Sequence, residues 1–145
     1  MSKETPDHHD ADLVLRLYDM RREAVMRQSR NAINGQFWPK RYEDLHEMAS
    51  KFDHPMNAPL RQVGTYWEMV YGMVKHGIVN AGYFLETNGE GFFLFAKIHP
   101  YLEQYRKDFS TTAFTNVEWA ATQCPEGRRL YEGVSARVKK MAESR

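Results

Sequence analysis

The stretch Leu60–Gly77, LRQVGTYWEMVYGMVKHG, constrains the fold more than any other part of the chain. On a helical wheel Arg61, Thr65, Glu68, Gly72 and Lys75 recur at steps of four and three residues, which is one narrow helical face. Val63, Tyr66, Trp67, Met69, Val70, Tyr71, Met73 and Val74 cover most of the remaining circumference. A helix that is apolar nearly all round has to be covered by other elements, whereas a surface helix shows only a limited apolar stripe. With Pro59 in its first turn and Gly77 as its stop, the segment near 59–76 reads as the largely buried central helix of a bundle.

The flanking chain is also helical in pattern. Residues 1–9 form a polar lead, expected to be flexible, and from about Asp10 the residues Leu13, Val14, Leu17, Met20, Ala24 and Val25 make the stripe of one long first helix that Asn34–Gly35 ends. Tyr42, Leu45, Met48, Ala49 and Phe52 continue at helical spacing after Pro39, and Asp53–His54–Pro55 closes that run. Asn80 suits the cap of a short helix through Ala81–Glu86. Asn88–Gly89 between two apolar runs is a hairpin signal, but Phe92–Phe95 shows no alternation. Leu94, Ile98, Tyr101, Leu102, Tyr105 and Phe109 then step as a helix, favouring helix–turn–helix, with Pro100 bending or breaking the second member. Thr115 and Glu118 match a capping box, and Pro125 opens a last helix with Leu130, Val134, Val138 and Met141 as its docking stripe and Tyr131 beside it. With no long linker and no internal repeat, residues 1–145 read as a single-domain, all-α helical bundle of about five to seven helices.

Composition narrows the function classes. A chain of 145 residues with 42% hydrophobic and 13% aromatic residues can bury a sizeable core. A formal net charge of +1 predicts no strong attraction to nucleic acid or anionic membrane, although Arg16, Arg21, Arg22, Arg27 and Arg30 crowd the first helix. Those arginines suit either an anion-binding face or a solvated helix surface with acidic neighbours. Cys124 is the only cysteine, so no intrachain disulfide forms and no cysteine-based zinc site exists. No apolar run approaches the roughly 20 residues of a spanning helix, and the first residues lack the apolar core of a secretion signal. A soluble, cytoplasmic protein is the expectation.

Three stretches, LRLYDMRREAVMR, RQVGTYWEMVYGMVKHGIV and ETNGEGFFLFAKIHPYLEQYRKDF, together resemble a group of uncharacterised bacterial all-helical proteins. In these a central YWE-type helix precedes a helix ending in an Arg near a Tyr. The similarity covers most of residues 10–110 and, more weakly, the tail. It implies the helical fold, supports helix over hairpin at Asn88–Gly89, and implies no activity.

No catalytic set assembles from the sequence. His46–Glu47 begins like a zinc-protease helix, but Ser50 stands where the second histidine is required. Glu43 and His46 form one Glu-x-x-His, yet a di-iron carboxylate bundle needs a second copy, and neither Glu68 nor Glu103 supplies one. Cys124 before Pro125 has no histidine near it in sequence, and Asn88–Gly91 lacks the lysine of a phosphate loop. No metal or cofactor is therefore expected. The richness in Trp (Trp38, Trp67 and Trp119) and Met favours a non-catalytic module that binds a protein partner or a second copy of itself. The alternative is a small-molecule binder or enzyme with an interhelical pocket beside Trp67, lined by Tyr66, Tyr71 and the strip Arg61, Thr65, Glu68 and Lys75, with His76 nearby. The strip itself faces either such a pocket or water.

Overall fold

The YWEMV segment is wrapped by its neighbours, as its composition requires. In the computed structural model, which describes residues 3–145, it lies in α4 (Asn57–Lys75), where Val63, Tyr66, Trp67, Val70, Tyr71 and Val74 are all buried. Residues 1–2 of the expected polar lead lie outside the described residues. Before α4 come α1 (His8–Arg22), α2 (Ala24–Gln36) and α3 (Tyr42–Ser50). After it come α5 (Ala81–Leu85), α6 (Glu90–Ile98), α7 (Leu102–Asp108), α8 (Thr115–Thr122) and α9 (Pro125–Glu143). The described residues hold no strand. None of these helices is long and apolar enough to cross a membrane.

Helix α4 packs most extensively between α2 and α8 and also meets α3 and α6, while α9 closes the far side against α5, α6 and α8. One continuous cluster runs through these contacts, from Leu17 and Ile33 through Trp67 and Phe95 to Val134 and Val138. Each fully buried side chain of this size contributes about 1.5–3 kcal/mol relative to exposure. Asn88–Gly89 joins α5 to α6 as helix–turn–helix rather than hairpin.

Two interruptions divide the helices more finely than periodicity indicates. The long first helix breaks at Glu23, which adopts extended backbone (φ −55°, ψ 141°) and whose carboxylate accepts from Val25 N and Met26 N to start α2 afresh. Arg30 Nη1 donates to the Arg21 carbonyl at 3.2 Å, satisfying one of the groups that the break leaves open. Pro100 forces the other interruption, a 3-10 turn over His99–Tyr101 between α6 and α7. Phe52 departs from expectation: α3 ends at Ser50, and the ring is 81% exposed, with the Arg61 guanidinium 5.5 Å above it.

Helices α8 and α9 approach so closely that a Cβ at Gly127 would lie 1.9 Å from the Ala120 carbonyl oxygen, a backbone atom that cannot step aside. Gly127→Ala should therefore cost about 3 kcal/mol in urea denaturation, in the range of core overpacking. A Cβ at Gly133, in the same helix, would meet nothing within 4 Å. Gly133→Ala should stabilise by about 0.5–1 kcal/mol through helix propensity.

Candidate functional site: the grooves beside the central helix

The polar strip of α4 is divided rather than uniformly wet. Arg61 and Thr65 are exposed, Arg61 Nε donating to Asn57 Oδ1 at 2.9 Å and Thr65 Oγ1 to the Arg61 carbonyl at 2.6 Å. Glu68 is half-buried and serves α8: its carboxylate accepts from Asn116 N at 2.8 Å and Val117 N at 3.1 Å. Those are backbone donors of the first turn of α8, whose own capping residue, Phe114, is in the left-handed region (φ 58°) and offers no side-chain cap. The expected Thr115–Glu118 capping box does not form. Thr115 Oγ1 donates to the Thr112 carbonyl, and Glu118 pairs with Arg106 Nη2 at 3.0 Å. Gly72 is buried beneath Asn116, and Lys75 is half-buried. Helix α8 thus covers the C-terminal half of the strip, and the wet edge of α4 runs through Gln62, Thr65 and Met69 toward His76.

The aromatic candidates of α4 are engaged in the interior. Tyr71 is fully buried and donates its hydroxyl to the Asn88 carbonyl at 2.7 Å; burial pushes that phenol well above its ordinary value. Tyr66 donates to the Leu17 carbonyl at 2.8 Å. Trp67 is 1% exposed, and a Cβ on Gly91 would come within 2.9 Å of its ring, so only glycine fits there. The buried Arg21 guanidinium lies 5.3 Å over Trp67 and donates to Asn88 Oδ1 at 2.6 Å. Next to it Arg30 grips Glu90 in a fork, Nε to Oε2 at 2.7 Å and Nη2 to Oε1 at 2.9 Å, with Asn34 adding a third bond. Two of the arginines that crowd the sequence of α1 and α2, Arg21 and Arg30, therefore turn inward. Burial pushes the Glu90 carboxyl up, but the Arg30 and Asn34 bonds and the Arg30 charge outweigh it and hold the group below its ordinary range.

Grooves flank α4 on either side. One, of about 290 Å³, is bordered by Arg61, Thr65 and Glu68 together with Tyr105, Phe114 and Thr112. The other, of about 730 Å³, runs between α4 and the α1–α2 break. Its lining is Met20, Val25, Met26, Tyr66 and Met69, with the polar Asp19, Glu23, Gln62 and Thr65 and no Lys or Arg. Of the residues singled out from sequence, Arg61, Thr65 and Glu68 reach the first groove and Thr65 and Tyr66 the second. Trp67, Tyr71, Lys75 and His76 line neither. The groove residues of α1 and α2 carried no sequence signal beyond the run of Met and Val, because that run also fits a core stripe. Glu43 and His46 stand exposed on α3, where His46 packs between Tyr42 and Phe109.

Fold and site together define a helical-bundle domain in which, among the described residues, the buried polar side-chain atoms other than Trp67 Nε1 are paired, and which carries an apolar groove beside the central helix. The chain belongs to the family of the domain of unknown function DUF4760, whose family model matches residues 6–124. No curated protein and no solved structure matches the chain.

Glu90→Gln should cost about 1–2 kcal/mol at neutral pH, because it weakens a charge-assisted fork and leaves Arg30 without its anion. A group whose folded value is depressed contributes stability above its unfolded value, and that contribution is lost as pH falls through the folded value. The gap between wild type and variant in urea denaturation should therefore close below the ordinary carboxylate range.

Proposed function

We propose that the domain binds an amphipathic helix of a partner protein in the groove between α4 and the α1–α2 break. The observation that carries this reading is the convergence of Met20 (48% exposed), Val25 (52%) and Met69 (48%) in that groove. Scattered exposed apolar side chains are ordinary, but a contiguous group in a groove marks an interaction surface. Methionine is flexible and polarisable, so a Met-lined groove adapts to an apolar helix face. Asp19 and Glu23 in the lining, without a cation among them, favour a partner helix with basic flanks.

A second copy of this chain fits the groove less well. Its basic helix is α9, with Arg128, Arg129, Arg137, Lys139 and Lys140, but the apolar face of α9 is already buried through Tyr131, Val134 and Val138. A small-molecule pocket beside Trp67 also has less support, since Gly91 packs against that indole. The continuous core supports the reading of residues 1–145 as one domain that acts as a unit.

A synthetic helix of Leu and Lys at amphipathic spacing is a suitable probe, with the Leu/Glu counterpart as control. The Leu/Lys peptide should bind one-to-one by calorimetry, and more weakly as salt rises. Met20→Ser with Met69→Ser should weaken it at least about tenfold, an effect of about 1.4 kcal/mol, with little change in melting temperature. Equal binding by both peptides, or binding indifferent to the double substitution, would remove the proposal.

A further inference from the structure

The geometry points to Lys97 as a site of reversible imine formation with small aromatic aldehydes that carry an anionic group. Lys97 projects from α6 and is 5% exposed, an unusual degree of burial for an ammonium. Its Nζ donates to the Ile33 carbonyl at 2.8 Å, and it sits 4.0 Å from the centre of the Trp38 ring and 4.3 Å from that of Phe93. Among the described residues no Asp or Glu pairs with it. The bond to Ile33 has a structural use, since that carbonyl belongs to the last turn of α2. A neutral amine serves that use with one N–H and keeps its lone pair free.

Lys97 and Trp38 both line a recess of about 310 Å³ between α6 and α9, bordered also by Pro39, Tyr101 and Ser135. That volume and the aromatic wall suit a single ring. Besides Lys97 the charged residue that lines the recess is Lys139, and the Arg145 guanidinium lies 4.3 Å over the Trp38 ring, while the carboxylates of Asp44 and Glu43 act on Tyr101 at its border. Tyr101, from the 3-10 turn, donates its hydroxyl to the Pro39 carbonyl at 3.3 Å. An anionic substituent on the incoming ring would therefore meet Lys139 and Arg145 while its carbonyl carbon meets Nζ.

Burial, with Arg145 adding to it, pushes the Lys97 ammonium down to about 7, so the nucleophilic free amine is well populated at neutral pH. The amine lone pair attacks the aldehyde carbon, a C–N bond forms, and the carbonyl oxygen leaves as water with both amine hydrogens. The product is the imine, whose nitrogen takes up a proton from solvent and so keeps one N–H for the Ile33 carbonyl, and neither an oxidant nor a reductant is consumed.

The test is site mapping on the wild-type chain. The protein is incubated at pH 7 with 4-formylbenzoate and cyanoborohydride, digested, and each lysine is quantified by mass spectrometry. Lys97 should be labelled about tenfold or more faster than the exposed Lys51, since surface amines remain protonated at pH 7. That advantage should shrink at pH 10. Benzaldehyde, which lacks the anion, should label Lys97 more slowly, and Arg145→Ala should narrow the difference between the two aldehydes. Labelling of Lys97 no faster than Lys51, or equal rates for both aldehydes at Lys97, would overturn the inference.

Discussion

The arrangement of the N-terminal half depends on one fully buried asparagine. Asn88 accepts from Arg21 through Oδ1, donates through Nδ2 to the Phe84 carbonyl at 2.9 Å, and receives the Tyr71 hydroxyl on its backbone carbonyl. One residue thereby ties α1, α4 and α5 together at the turn leading into α6. Each of these groups would cost about 1–3 kcal/mol if left buried without its partner, so only a narrow set of helix positions satisfies all of them at once. Glu90, two residues on, extends the same logic to α2 through Arg30 and Asn34. The other half of the bundle is fitted differently, by close backbone approach at Gly127 and by the apolar faces of α8 and α9.

The groove follows from this polar keying. Because Arg21 must reach Asn88 and Arg30 must reach Glu90, α1 and α2 cannot continue as one straight rod along α4. The chain turns at Glu23, and the turn leaves Met20 on one side and Val25 on the other, facing Met69 across the gap. Apolar side chains that a continuous helix would carry against the core are held apart from it instead. The carboxylate that restarts α2 also gives the groove part of its acidic character.

Much of the fold is legible in the residues. The central helix is recognisable because burial on nearly all sides leaves a pattern that no solvent-facing helix tolerates. Pro100, Pro125 and Gly77 act through local backbone geometry, and the chain breaks, starts and stops where they stand. The break at Glu23 has no such mark: neither Pro nor Gly is near, and its cause is a carboxylate reaching backbone amides while an arginine reaches across from the next helix. The cap of α8 is equally hidden, because Glu68 lies 48 residues from Asn116. Thr115 and Glu118 have the spacing of a local cap, but Arg106 claims the glutamate.

The sequence by itself determined that the chain is helical, where most helices start and stop, and that α4 lies inside. Those properties depend on interactions within about four residues and on the balance of apolar side chains along a helix. Only the tertiary structure decided which edge of α4 stays wet, that Arg21 and Lys97 are buried, and that Met20, Val25 and Met69 line a groove instead of filling a core. Periodicity reports how much of a helix must be covered. Which neighbour covers it, and where coverage fails, is set by contacts between residues far apart in the chain.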